Sequence, residues 1–204
     1  MKRYFRSCLL LLTMVMLGTH IQAYDKRSET TRHLSAVTKI NGYYCKGWIT
    51  TTTDGKLVSF DSAAPIRVRG GVIPTGSRIV LFSNLKVQSV CLFKPTIIQG
   101  MPCIGYGPES PAMTFYPNGT LRTFYVSHQT RIQGFLCHSG TFSRIILSPE
   151  GKLLSCELAE DKVVDGQQIK ARSIIYLDDK GRLTKVRKSN RFRSLFFDTL
   201  DKII

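Results

Sequence analysis

Cys137 and His138 are the neighbouring residues in this sequence whose chemistry most resembles that of a covalent catalyst. A thiolate beside an imidazole can act as a nucleophile that forms a covalent intermediate. Adjacent residues on a β-strand, however, point to opposite faces of the sheet. We therefore expect Cys137 to be a buried structural thiol and the protein to have no enzymatic activity. An enzyme that uses Cys137 with His138 is the alternative.

The carboxylates and histidines follow no recognised metal-binding pattern. The densest acidic cluster consists of Glu157, Glu160, Asp161 and Asp165, and oxygen ligands of this kind bind Ca²⁺. Their spacing matches no calcium-binding loop, so we interpret the cluster as a solvated acidic bend. The sequence contains no phosphate-loop, zinc-protease or nucleophile-elbow motif. We expect neither a metal nor a cofactor.

Two groups of aromatic and basic residues are candidates for ligand binding. The first group flanks the turn at Asn118 and consists of four aromatic residues with Arg122: Phe115, Tyr116, Phe124 and Tyr125. Its binding candidates are Tyr116, Arg122 and Phe124. Alternation along a strand sends such side chains to both faces, so one face could contact a glycan or a partner protein. Packing in the core or across strands is the competing interpretation. The second group is the densest basic patch and consists of Arg187, Lys188, Arg191 and Arg193.

The first residues predict a secretory signal peptide. Three cationic residues precede an apolar stretch from Leu9 to Leu17. This stretch is too short to span a membrane, and no later apolar segment is long enough to do so. We expect residues 1–23 to be removed as a signal peptide rather than retained as an anchor. No transmembrane span then remains, and the protein is exported to the periplasm, the cell surface or the extracellular space.

The charge of the chain favours an anionic partner. The sequence carries a net charge of +15, and removal of Lys2, Arg3 and Arg6 leaves about +12. Such a charge favours lipid head groups, acidic glycans or an acidic protein surface, whereas solubility alone is the simpler explanation. We expect an unknown protein, a glycan or an anionic envelope surface as partner, and not nucleic acid. Five cysteines remain after cleavage, so at least one is unpaired: Cys45, Cys91, Cys103, Cys137 and Cys156.

A repeat of about thirty residues organises the chain. Its apolar anchor positions are Leu57, Val87, Leu121, Leu153 and Leu183. Four of the anchors follow a turn dipeptide that ends in glycine, and a second glycine lies thirteen residues after each of the first four. A fixed offset of this kind predicts a modular architecture.

Two apolar columns within the repeat are expected to face the core, because one unit cannot bury its hydrophobic face alone. One column precedes the anchors by eight residues: Ile49, Ile79, Met113, Ile145 and Ile175. The other lies two residues before each second glycine: Ile40, Val68, Ile98, Ile132 and Val164. Short β segments between turn signals predict an all-β fold. Asn-Gly bends favour an antiparallel meander, and a β-solenoid, in which Cys103 and Cys137 would stack, is the alternative.

The segment Phe115-Tyr116-Pro117-Asn118-Gly119-Thr120-Leu121 resembles the core of bacterial MORN-like repeat proteins, including the related repeats of antitoxin-type proteins. The segment from Leu153 to Asp161 is similar to one found in exported bacterial proteins with such repeats. The resemblance covers roughly residues 40 to 187. It implies β-hairpin units in a row and a binding or scaffold role, and it carries no catalytic residues.

The expected organisation has three parts after the signal peptide. Residues 24–36 are polar and lack periodicity, which predicts a flexible N-terminal segment. Residues 37–187 form the β-repeat domain. Residues 188–204 carry apolar side chains at helical spacing, which predicts a C-terminal amphipathic helix that caps the last repeat. A membrane-surface helix is the alternative for this segment.

We therefore expect an exported, non-enzymatic repeat protein that acts as a binding or scaffold module. A basic surface-adhering protein that binds anionic lipid or glycan is the alternative binding function.

Overall fold

The computed structural model describes residues 29–107 and 110–189. The expected signal peptide and residues 190–204 of the expected C-terminal helix lie outside the described residues. The strands, in chain order, are β1 (Glu29–Ile40), β2 (Tyr43–Thr52), β3 (Leu57–Ser62), β4 (Ile66–Val68), β5 (Gly71–Ile73), β6 (Arg78–Leu81), β7 (Val87–Cys91), β8 (Thr96–Ile98), β9 (Met101–Cys103), β10 (Met113–Phe115), β11 (Leu121–Phe124), β12 (Thr130–Ile132), β13 (Phe135–Cys137), β14 (Ile145–Leu147), β15 (Leu153–Glu157), β16 (Lys162–Val164), β17 (Gln167–Ile169), β18 (Ser173–Leu177) and β19 (Leu183–Lys188).

One large open sheet contains eleven of these strands in the order β1-β2-β3-β6-β7-β10-β11-β14-β15-β18-β19. We call it the main sheet, and β1 and β19 are its two edges. Every strand pairing among the described residues is antiparallel. The predicted all-β meander is thus confirmed.

The remaining strands form short hairpins that alternate with the hairpins of the main sheet along the chain. They are β4–β5 and β8–β9, which pair with each other, then β12–β13 and β16–β17. Each full repeat contributes one hairpin to the main sheet and one to this second layer. Buried residues of both layers belong to a single hydrophobic cluster, so the core lies between the main sheet and the short hairpins.

The turn residues act as the repeat predicts. Gly119 and Gly151 in the main-sheet turns adopt φ values of +83° and +85°, a conformation that costs glycine little. The second repeat has no glycine in its main-sheet turn, and Leu85 takes the left-handed conformation instead, with φ of +65°. The expected second bends form the tips of the short hairpins, and Asn41-Gly42 joins β1 to β2.

Polar side chains at the short-hairpin tips fasten them to the next main-sheet turn. Gln133 Oε1 accepts a hydrogen bond from the Leu153 amide at 3.0 Å, and its Nε2 donates to the Gly151 carbonyl at 2.9 Å. Gln99 makes the same two contacts with Leu121 and Gly119, at 3.1 and 2.8 Å. The Asp165 carboxylate, at the tip of β16–β17, likewise accepts a hydrogen bond from the amide of the anchor Leu183. The Asn41 side chain, in the turn between β1 and β2, accepts one from the amide of the anchor Leu57.

The first apolar column is buried throughout, with no member more than 3% exposed. In the second column Ile98, Ile132 and Val164 are buried, whereas Ile40 and Val68 are partly buried. The predicted core positions are therefore confirmed, with weaker burial at the N-terminal end.

Two of the expected boundaries are wrong. Residues 29–36 were expected to be flexible, yet they belong to β1, which pairs with β2 from Glu29 to Ile40. Backbone hydrogen bonds hold this edge strand, and because nearly all of its side chains are exposed it shows no hydrophobic periodicity. Lys188, assigned to the expected helix, is the last residue of β19.

Candidate functional site

The outer face of the main sheet, which points away from the core, carries a continuous row of cross-strand neighbours. Most members of the row are hydroxyl side chains: Thr31, Thr50, Ser59, Val80, Ser89, Thr114, Thr123, Ile146, Ser155, Tyr176 and Lys185. They share one face because they are direct partners across successive ladders. We call this set the hydroxyl row.

A cavity of about 320 Å³ lies at the β19 end of this face. Members of the hydroxyl row line it, together with residues 141–144 of the loop that connects β13 to β14. The lining residues are Tyr125, Thr141, Phe142, Ser143, Arg144, Ile146, Ser155, Glu157, Ile174, Tyr176 and Arg187. Ligand sites in proteins usually measure about 300–1,000 Å³, so the cavity is large enough for a small ring-bearing ligand.

The charges around the cavity are mainly positive. Glu157 is buried, with 2% of its side chain exposed, and its Oε1 lies 3.5 Å from Arg172 Nη1. This ion pair offsets the negative charge of Glu157, the only carboxylate among the described residues that line the cavity. Arg144 and Arg187 are exposed and form no ion pair with another described residue. The cavity therefore presents two arginines to an incoming ligand.

One hydrogen-bonded chain holds the loop over the cavity. The Ser143 hydroxyl donates to Glu157 Oε2 at 3.1 Å and lies 3.1 Å from His138 Nδ1. His138 Nδ1 is also 2.7 Å from the Ser139 carbonyl. A carbonyl only accepts, so Nδ1 carries the proton.

This arrangement contains serine, histidine and glutamate but does not form a nucleophilic triad. In such a triad the imidazole accepts the proton of the serine, whereas the protonated Nδ1 of His138 cannot accept one. Ser143 is also only 1% exposed. The three side chains therefore fix the loop in place on β15.

The first predicted binding group does not form a common surface. Phe124 is fully buried at 0% exposure, so its predicted binding role is wrong. Alternation along β11 places it in the core, opposite Ile145. Tyr116 donates its hydroxyl to the Leu147 carbonyl at 2.9 Å, and the guanidinium of the exposed Arg122 lies 5.6 Å from its ring centroid. Tyr116 thus joins its hairpin to β14–β15, whereas the contact of Arg122 with Tyr116 lies within the β10–β11 hairpin.

The second predicted group is divided by the fold. Arg187 lines the cavity and is paired across strands with Ile174. Lys188 is exposed at the end of β19. Arg191 and Arg193 lie outside the described residues. The sequence pointed to Arg187 and placed Tyr125 in an aromatic group, but it did not indicate the other lining residues, since they come from distant parts of the chain.

The acidic cluster is not one solvated bend. Glu157 is buried beneath the cavity, whereas Glu160 and Asp161 form ion pairs with Arg131 at 3.0 Å and Lys170 at 2.8 Å. The hydrogen bond from Lys170 lowers the pKa of Asp161 below its ordinary value. Asp165 accepts the Leu183 amide. Each carboxylate thus has a separate structural role.

Cys137 is fully buried at 0% exposure, as expected for a structural thiol. Within residues 29–107 and 110–189, no group of three or more histidine, cysteine, aspartate or glutamate side chains is arranged to hold a metal ion. In that same part of the chain we find no helix with the length and apolar character required to cross a membrane.

No family model, curated protein or solved structure matches this chain.

Proposed function

We propose that this protein is an exported, non-enzymatic binding module whose cavity recognises an acidic glycan. The observation that carries the proposal is the cavity itself, which combines aromatic and hydroxyl side chains with two arginines that form no ion pair with another described residue. Guanidinium groups match carboxylate or sulfate groups by bidentate hydrogen bonding. Aromatic side chains supply the amphipathic surface that a sugar ring contacts.

The hydroxyl row supports a chain-like ligand rather than a single small anion. Ile146, Ser155 and Tyr176 belong both to the row and to the cavity lining. A polysaccharide that places one acidic sugar in the cavity can continue across the outer face, where the partly exposed hydroxyls of Ser59, Ser89 and Thr123 can donate and accept hydrogen bonds. The net positive charge of the chain increases the rate of encounter with such a polyanion.

Anionic lipid, which carries the same negative charge as an acidic glycan, is the alternative ligand. A lipid surface requires a contiguous apolar face or a dense basic patch. The exposed aromatic residues instead occur at separate places, such as Trp48 on β2 and Phe142 at the cavity rim. The alternative enzyme is disfavoured by the complete burial of Cys137.

Titration of the protein with uronic-acid oligosaccharides of increasing length tests the proposal. We expect binding that strengthens with oligosaccharide length and weakens at high salt, because exposed charges are screened. Arg187→Gln and Arg144→Gln are each expected to reduce affinity by roughly tenfold, which corresponds to the loss of one charged hydrogen bond.

Arg67→Gln is the matched control, since Arg67 is exposed on β4 in the second layer and its replacement removes the same charge. An equal loss of affinity in Arg67→Gln would show that net charge, not the cavity, drives binding. Retention on anionic vesicles together with no binding of the oligosaccharide would overturn the choice of ligand.

N-terminal sequencing tests the proposed export. We expect the exported protein to begin near Tyr24, and a start at Met1 would contradict cleavage of the signal peptide.

A further inference from the structure

Cys137 and Cys156 meet in the core where a short hairpin docks on the main sheet. Cys137, the last residue of β13, forms an isolated antiparallel bridge with Leu158, which follows β15. The His138 amide donates to the Glu157 carbonyl at 2.7 Å in the same alignment. Cys156 lies two residues before Leu158, so it shares a face with Cys137. Both side chains are 0% exposed.

In the preceding repeat, a phenylalanine occupies the position equivalent to Cys156. Cys103 forms the equivalent isolated bridge with Val126, and the residue two positions earlier is the buried Phe124. Replacement of the aromatic ring by a thiol at Cys156 brings two sulfur atoms together. Both residues are free thiols in this structure, and the neighbouring Cys137 side chain, together with burial, raises the pKa of Cys156.

We propose that Cys137 and Cys156 form a disulfide bond in the exported protein. The oxidant is a small-molecule or protein disulfide. One cysteine thiolate attacks that disulfide and forms a mixed disulfide, which releases one thiol of the oxidant. The second cysteine thiolate then attacks the mixed disulfide at the protein sulfur and releases the second thiol. Two cysteine thiols are oxidised, one disulfide is reduced, and the two protons end on the oxidant's thiols.

A regular antiparallel ladder through the Cys137–Leu158 bridge would place the Cα atoms of Cys137 and Cys156 close to the distance that the bond needs. Diagonal neighbours across a regular antiparallel ladder lie about 7–8 Å apart, whereas bridged Cα atoms lie about 4.4–6.8 Å apart. Closing the bond therefore requires the end of β13 to approach β15 by about 1 Å. A strand end held to β15 by an isolated bridge rather than a continuous ladder accommodates such a shift.

The timing of the reaction follows from burial. A thiol with a raised pKa and no exposure reacts slowly with an oxidant, so the exchange occurs before β13 docks on β15. After docking, the same burial protects the bond from reductants. The bond anchors the start of the loop that covers the cavity, because that loop leaves β13 at His138. This last consequence rests on the proposed ligand, whereas the bond itself rests only on the proposed export to an oxidising compartment.

Peptide mapping without reductant tests the proposal on the full chain refolded in a buffer of oxidised and reduced glutathione. Trypsin separates the two cysteines because Arg144 and Lys152 lie between them. We expect the Cys137 and Cys156 peptides to be recovered as one linked pair that reductant splits. Recovery of both cysteines as alkylated thiols, or Cys137 linked to another cysteine, would overturn the proposal.

Cys45 is the matched internal control. It is also 0% exposed, but its strand partner is Ser62 and the residue two positions before Ser62 is Phe60, so it should be recovered as a thiol. A second measurement compares the urea midpoint with and without reductant. We expect reductant to lower the midpoint of the unmodified chain and to leave that of Cys156→Ala unchanged. A midpoint of the unmodified chain that does not respond to reductant would contradict a bond.

Discussion

Replacing Gln133 by alanine should destabilise the protein although the side chain is exposed. The substitution removes the acceptor of the Leu153 amide and the donor to the Gly151 carbonyl, two hydrogen bonds of 3.0 and 2.9 Å. Each net hydrogen bond contributes about 0.5–1.5 kcal/mol, so the expected loss is about 1–3 kcal/mol. Gln133 has φ of +47°, and alanine keeps the Cβ atom, so the backbone strain at this position does not change.

Urea denaturation followed by circular dichroism measures this loss as a lower midpoint at an unchanged slope. The matched control is Gln129→Ala, at an exposed glutamine in the loop before β12. Gln99→Ala should reproduce the effect of Gln133→Ala, because Gln99 holds Leu121 and Gly119 in the same way. If Gln133→Ala and Gln129→Ala had the same midpoint, hydrogen bonds at the hairpin tips would not stabilise the stack.

Three further outcomes are expected. Ile145→Ala should cost about 2–5 kcal/mol, because Ile145 is fully buried, whereas Ile146→Ala on the outer face should cost clearly less; equal urea midpoints would contradict the assignment of faces. In the reduced native protein, an alkylating reagent should label the half-buried Cys91 before the fully buried Cys137, and mass spectrometry of the first labelled peptide decides the order. The pKa of Asp161 is lowered in the folded state, so its contribution to stability is present above the ordinary value of 3.8 and is lost as the pH falls through the folded value; Asp161→Asn should flatten this part of the midpoint-versus-pH curve.

The repeat and its core columns could be predicted because they depend on local properties. A turn that needs a positive φ selects glycine, and a strand with one buried face alternates with a period of two. Ile145 and its equivalents carry both signals, and the structure places them in the core. The polar residue before each second glycine was also visible, but its partner was not. The amide that Gln133 binds belongs to a residue twenty positions further along the chain.

The predicted binding group failed at Phe124 for a physical reason. Alternation shows that Phe124 and Tyr125 point to opposite faces, but it does not say which face is buried. That choice depends on the short hairpins, which cover only one side of the main sheet. Phe124 therefore lies in the core, and Tyr125 lines the cavity.

By itself the sequence determined the all-β class, the repeat length, the turn positions and the residues that alternate into the core, since each depends on contacts within a few residues. Only the tertiary structure decided that hairpins alternate between two layers and that Arg187 meets Arg144 and Glu157 at one cavity. The tertiary structure likewise decided that the segment of Cys137 pairs beside that of Cys156 in the core. These contacts depend on how successive repeats pack. The hydrophobic pattern along one strand shows which side chains are buried, but it does not show which other strand or hairpin they pack against.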